Sequence, residues 1–146
     1  MSYSIRLVKP EGYSGPVPVY TASDIPVGGT YCVGPGLPPL AFNITFNYYW
    51  YFKVTVDEAE GISWIAGKTG ERVLYRLKNA RPKLVELMER EKNEKVILAE
   101  VWNSPYDEER YGKDYWYTCA ENALRALDGL IKLCNIAPGY VFEVWK

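Results

Sequence analysis

The chain has 146 residues, a net charge of −1 and no histidine, with 48% hydrophobic and 24% charged residues. That length suits one domain with a real core, and the near-zero charge supplies no field for bulk nucleic acid or an anionic membrane. Lacking histidine, it lacks the side chain best suited to proton transfer near neutral pH and the commonest metal ligand, which argues against an enzyme, a metal site or a cofactor.

The other composition signals agree. Cys32, Cys119 and Cys134 form no C-x-x-C pair, so they read as free thiols in a reducing compartment rather than as zinc ligands. Met1–Ser4 carries no signal-peptide features, and no apolar run reaches the ~18 residues of a membrane span, so a cytoplasmic protein with no membrane partner is expected. The aromatic share of 15%, with 13 Tyr and 5 Trp, predicts a densely packed core and leaves rings over for a surface.

In chain order, Ser2–Val8 alternates, with Tyr3, Ile5 and Leu7 on one face, and reads as a strand ending at Pro10. Glu11–Pro18 is a loop, Val19–Ser23 a short edge strand, and Thr30–Val33 a short strand between glycine turns. The uncharged stretch Phe42–Phe52 admits two readings. Period two puts Phe42, Ile44, Phe46, Tyr48, Trp50 and Phe52 on one face of a strand. Period 3.6 puts Leu40, Asn43, Ile44, Asn47, Tyr48 and Tyr51 on one face of a helix, with the two amides a turn apart. In either case amides among rings need partners, because an unpaired buried amide costs about 1–3 kcal/mol.

After the apolar piece Gly61–Ala66, Thr69 is a good N-cap, and Leu74, Leu77, Arg81, Leu84, Val85 and Met88 keep helical spacing. Pro82 is expected to end one helix near Ala80 and begin another. Glu89–Lys95 reads as a solvated charged run, Val96–Trp102 as a strand, and Asn103–Asp114 as a charged loop. Thr118 and Glu121 form a capping box for a helix whose stripe is Ala120, Ala123, Leu124, Leu127, Leu130 and Cys134, with Asn135 as its C-cap. Tyr140–Trp145 is a final strand that can pair with the first.

Few motifs carry chemistry. Gly61 and Gly67 are separated by five bulky residues, so Gly67–Thr69 is no phosphate loop. A helix beginning near Thr69 still offers free N–H groups, with Lys68, Arg72 and Arg76 to supply charge. Tyr115–Tyr117 is either a stacking edge or an apolar staple on the last helix.

Taken together, Gly28–Tyr31, Asn43–Tyr48, Gly61–Ile62, Gly67–Gly70, Tyr115–Trp116, Thr118 and Asn122–Ala123 resemble, in that order, a group of small uncharacterised phage and prophage-type proteins. The resemblance runs from Gly28 to the final strand, with Lys92–Lys113 as an insertion. It implies a helix over the Asn43–Tyr48 block, leading into the Gly67–Gly70 turn, and that helix is the reading adopted.

The expected fold is α+β, a single small domain over residues 1–146. About three helices pack on a mainly antiparallel sheet that uses the strands near Tyr3, Tyr31, Ile97 and Phe142. The first expected function is binding of a small anionic, nucleotide-like ligand. Asn43, Asn47 and Tyr48 line its pocket, and Lys68, Thr69 and Arg72 form its anion end. In a viral setting this sequesters a host immune signal in the host cytoplasm. The alternative is a protein-interaction factor that inhibits or scaffolds a host or viral complex through an aromatic surface. A homo-oligomer is compatible with either.

Overall fold

A computed structural model of the chain describes residues 2–18, 30–33, 40–99 and 105–146. The short strand expected at Val19–Ser23, the glycine turns on either side of residues 30–33, and the end of the strand expected over Val96–Trp102 lie outside the described residues.

Four strands form one antiparallel sheet: β1 (Ser2–Val8), β2 (Thr30–Val33), β3 (Leu40–Thr45) and β4 (Val141–Trp145), in the order β2-β3-β1-β4. Alternation along β1 buries Tyr3, Ile5 and Leu7 on one face, where Ile44 and Phe142 join them, and leaves Ser4 exposed on the other. Register follows the pleat: Ser4 lies opposite Asn43 on one side and Trp145 on the other. The outer edge of β4 is bordered by Gly67–Gly70, through Gly67 N to Phe142 O (2.8 Å), Phe142 N to Lys68 O (2.9 Å) and Gly70 N to Tyr140 O (3.0 Å).

Among the described residues three α-helices accompany the sheet in an α+β fold: α1 (Tyr49–Thr55), α2 (Gly70–Glu94) and α3 (Ala120–Ile136). α2 and α3 lie antiparallel on the sheet's buried face. Val73, Leu77, Ala80 and Leu84 of α2 share the core with Ala123, Leu127, Leu130 and Cys134 of α3. The helices approach closely at Gly70, where an added Cβ would lie 2.9 Å from Ala137 O. Among the described residues no helix is long and apolar enough to cross a membrane.

Several expectations are corrected. The helix expected across Asn43–Tyr48 is instead a strand to Thr45, a 3₁₀ turn over Phe46–Tyr48 and then α1. Residues 40–45 find strand partners on both sides, β1 and β2, and that pairing outweighs the helical option. Among the described residues no strand pairing continues beyond Thr45, and Thr45 Oγ1 accepts the Asn47 N–H (3.3 Å), so the aromatic run turns helical and buries Tyr48, Tyr51, Phe52 and Thr55. β3 therefore takes the place in the sheet expected for the strand near Ile97, and Val96–Ala99 is irregular.

α2 does not break at Pro82. Pro82 is exposed, so the bond it cannot donate leaves only a solvent-facing carbonyl, and the helix continues to Glu94. The capping box at Thr118 does not form either. Cys119 occupies the cap position without a side-chain bond, and the helix continues past Asn135 to Ile136.

Candidate functional site

The six residues expected to share a pocket fall in two places. Asn43 sits on the sheet face turned from the helices, where its amide donates to Ser2 Oγ (3.1 Å) and Ser4 Oγ (3.5 Å). Thr69 bridges to Val141 at the other border of the sheet. Three inter-strand spacings across and four residues along put Asn43 and Thr69 roughly 20 Å apart. Asn47 follows the Thr45 end of β3, opposite Ser2, and so lies farther still from the Val8–Val141 end.

The start of α2 has also used its donors. Gly70 N bonds Tyr140 O (3.0 Å), Glu71 N bonds Pro138 O (2.9 Å) and Arg72 N bonds Thr69 Oγ1 (3.4 Å). The expected free N–H groups are satisfied by the protein, so no anion cradle remains in the helix backbone. Lys68 Nζ lies 4.4 Å over the Trp64 ring and donates to Trp64 O (2.6 Å). Arg72 is exposed, and its guanidinium has no partner among the described residues.

Asn47 and Tyr48 have a different task. The carbonyls of four consecutive residues, Asp114 to Tyr117, each accept a bond from a side chain elsewhere in the fold. Asn122 of α3 donates to Asp114 O (2.8 Å) and Tyr117 O (3.0 Å), Asn47 donates to Trp116 O (2.5 Å), and the Tyr48 hydroxyl donates to Tyr115 O. Trp116 N donates to Asp114 Oδ1 (3.0 Å), so both backbone polar groups of Trp116 are fixed. The residue is nevertheless 57% exposed, and its ring stands 4.3 Å from the Tyr115 ring, centroid to centroid. A backbone bonded this completely loses little freedom when a partner covers the ring.

The turn belongs to a lobe over residues 105–119. Successive i to i+3 and i+4 backbone bonds, from Arg110 N to Asp107 O (3.1 Å) through Tyr117 N to Asp114 O (2.9 Å), fold it upon itself. Tyr111, Tyr117 and Cys119 make a small apolar cluster separate from the main core. Gly112, at φ +72, permits a close pass, for a Cβ there would overlap Glu121 Oε2.

Glu91 fastens this lobe to the body. It is fully buried in α2, and its carboxylate accepts from Tyr51 Oη (2.5 Å), Tyr111 Oη (2.8 Å), Leu98 N (2.9 Å) and Ala120 N (2.8 Å). With four donors on two oxygens the charge is satisfied, and it stands at the start of α3, where a negative charge is favourable. Glu91, not Thr118, caps α3. Glu91 is thus buried, against the solvated run expected over Glu89–Lys95. The available signal was its phase, seven residues after Leu84 and so on the buried face.

The electrostatics follow from burial. Tyr51 and Tyr111 are held neutral well above the usual tyrosine range, first by desolvation and then by the Glu91 charge. Desolvation also raises Tyr48, and it pushes the Cys119 thiol up to about 11, which makes that sulfur a poor nucleophile. Asp114 is held below the usual carboxylate range by its bond from Arg110 and next by the Trp116 N–H. The arrangement holds a turn whose carbonyls are bonded and an exposed tryptophan.

No protein-family model matches the chain, and neither a curated protein nor a solved structure matches it.

Proposed function

We propose that the chain is a protein-interaction factor whose contact surface is centred on Trp116. The observation that carries this reading is the set of side-chain bonds on the Asp114–Tyr117 carbonyls, which fix the backbone that carries an exposed tryptophan. Tryptophan is the residue type most enriched at the energetic centres of interfaces, and a pre-ordered backbone lowers the entropy lost on binding. The pocket for a nucleotide-like anion finds less support, because Asn47 and Tyr48 are engaged with backbone and Asn43 bonds serines. The resemblance to phage and prophage proteins suggests the setting: a host or viral complex in the cytoplasm, inhibited or scaffolded by the factor.

The test is capture of a partner from host extract, reconstitution with that partner purified, and titration of variants. Trp116→Ala is expected to keep the fold and weaken binding by about 2 kcal/mol or more, roughly thirtyfold. An unchanged Kd for Trp116→Ala would remove the proposed centre of the surface.

A further inference from the structure

We propose that the outer stripe of α2, with Lys68 just before it, docks an acidic α-helical segment of a protein partner. Between Lys68 and Lys83 the sequence holds six cations, Lys68, Arg72, Arg76, Lys78, Arg81 and Lys83, and one acid, Glu71, in a chain whose net charge is −1. At about 100° per residue, Arg72, Tyr75, Arg76 and Lys83 fall within an arc of about 100° on the outward side of the helix. Tyr75, at one edge of this arc, is 70% exposed, and Arg72 and Lys83 are exposed without partners among the described residues.

Two of the cations are already positioned. Arg76 lies 4.0 Å over the Trp64 ring and bonds Asp57 Oδ1 (3.1 Å), while Lys68 lies over the same ring. The stripe is thus a ring with two uncommitted cations on either side, backed by an anchored pair.

Charge complementarity and an internal precedent identify the occupant. α2 already packs one antiparallel helix on its neighbouring flank through apolar residues, with ion pairs of this kind at the rim, Arg81 with Asp128 (2.8 Å) and Lys92 with Glu121 (2.6 Å). A second acidic helix laid along the stripe can oppose Arg72 and Lys83, about 16 Å apart, with carboxylates on its own turns while packing an apolar residue on Tyr75. A nucleic acid fits less well. Asp57 beside Arg76 and the exposed Glu86 one turn beyond Lys83 would repel a continuous run of phosphates, whereas a peptide can place a lysine opposite Glu86.

The experiment uses the full chain and a labelled synthetic helix of about 20 residues. The peptide carries glutamates on one face at i, i+4 and i+7, a leucine between them and a lysine at one end. A scrambled peptide of equal composition and single-stranded oligo-dT serve as comparisons, read by fluorescence anisotropy at two salt concentrations. The patterned helix is expected to bind at least about tenfold tighter than either comparison, and Arg72→Glu with Lys83→Glu to weaken it by about tenfold or more. Lys78→Glu, a sixth of a turn beyond Tyr75 on the side away from Arg72 and Lys83, is expected to weaken binding less than either reversal at those two positions, and Tyr75→Ala to weaken it without altering charge. Equal binding of the scrambled peptide, tighter binding of oligo-dT, or indifference to both the charge reversal and Tyr75→Ala would overturn the proposal. Failure of the patterned helix to bind at millimolar concentration would do the same.

Discussion

The body of the fold and the lobe over residues 105–119 are held together in different ways. In the body, the buried face of the sheet and the facing stripes of α2 and α3 enclose Tyr3, Ile5, Leu7, Leu77, Leu84, Leu127, Leu130 and Phe142, all essentially inaccessible to solvent. Non-directional burial of that kind tolerates small shifts and adds up over many residues. The lobe has only Tyr111, Tyr117 and Cys119 in its own cluster. Directional bonds secure it instead: the carboxylate of Glu91 below, and Asn47, Tyr48 and Asn122 along its outer turn. A segment fixed by a few directional bonds can be loosened one bond at a time while the body stays folded. A surface presented by such a segment is therefore adjustable in a way that a core face is not.

The largest effect expected from this contrast lies where the two regions meet. Glu91→Ala leaves two tyrosine hydroxyls and two backbone N–H groups in the interior without their acceptor. It should cost about 3–5 kcal/mol in denaturant unfolding, as much as emptying a core leucine site. A loss below about 1 kcal/mol would mean that the lobe does not depend on this carboxylate.

A smaller loss is expected at Asn122, which is fully buried, bonds two carbonyls of the lobe and accepts from Arg125 (3.2 Å). Asn122→Ala should destabilise by about 1–3 kcal/mol, with amide exchange rising first in residues 114–119. Uniform acceleration across α2 and β1 would show that lobe and body unfold as one unit.

The smallest global effect is expected at Asn47. Its bond to Trp116 O is partly exposed, so Asn47→Ala should change overall stability by about 1 kcal/mol or less. It should instead shift the Trp116 fluorescence anisotropy and weaken partner binding measurably. A partner that binds Asn47→Ala and the parent chain equally would show that fixing the turn contributes nothing to recognition.

Much of the body was readable from local pattern. The alternation of Ser2–Val8 and of Val141–Trp145 and the apolar stripe of α3 each correspond to the observed element, because a buried face imposes its period on the residues that form it. Phe42–Phe52 satisfied two periods at once, and both were half right: its first part is strand and its last part is helix. Neighbouring strands chose between them, and those strands come from residues 2–8 and 30–33.

The candidate surface was less legible. Asn47 and Tyr48 stood out as polar groups among rings, and they are indeed engaged. Their partners lie 69 and 67 residues away along the chain, on carbonyls that every residue possesses and no side chain advertises. Glu91 was read by its charge, while its environment depended on two tyrosine hydroxyls, from α1 and from the lobe.

What the sequence alone determined is the α+β class of the fold and the apolar faces of β1, α3 and β4, since these follow from side-chain periodicity along a single segment. Only the tertiary structure decided which polar atoms meet, because a hydrogen bond needs its two groups within about 3 Å. Whether a carbonyl from a distant turn arrives at that distance depends on how every intervening element packs.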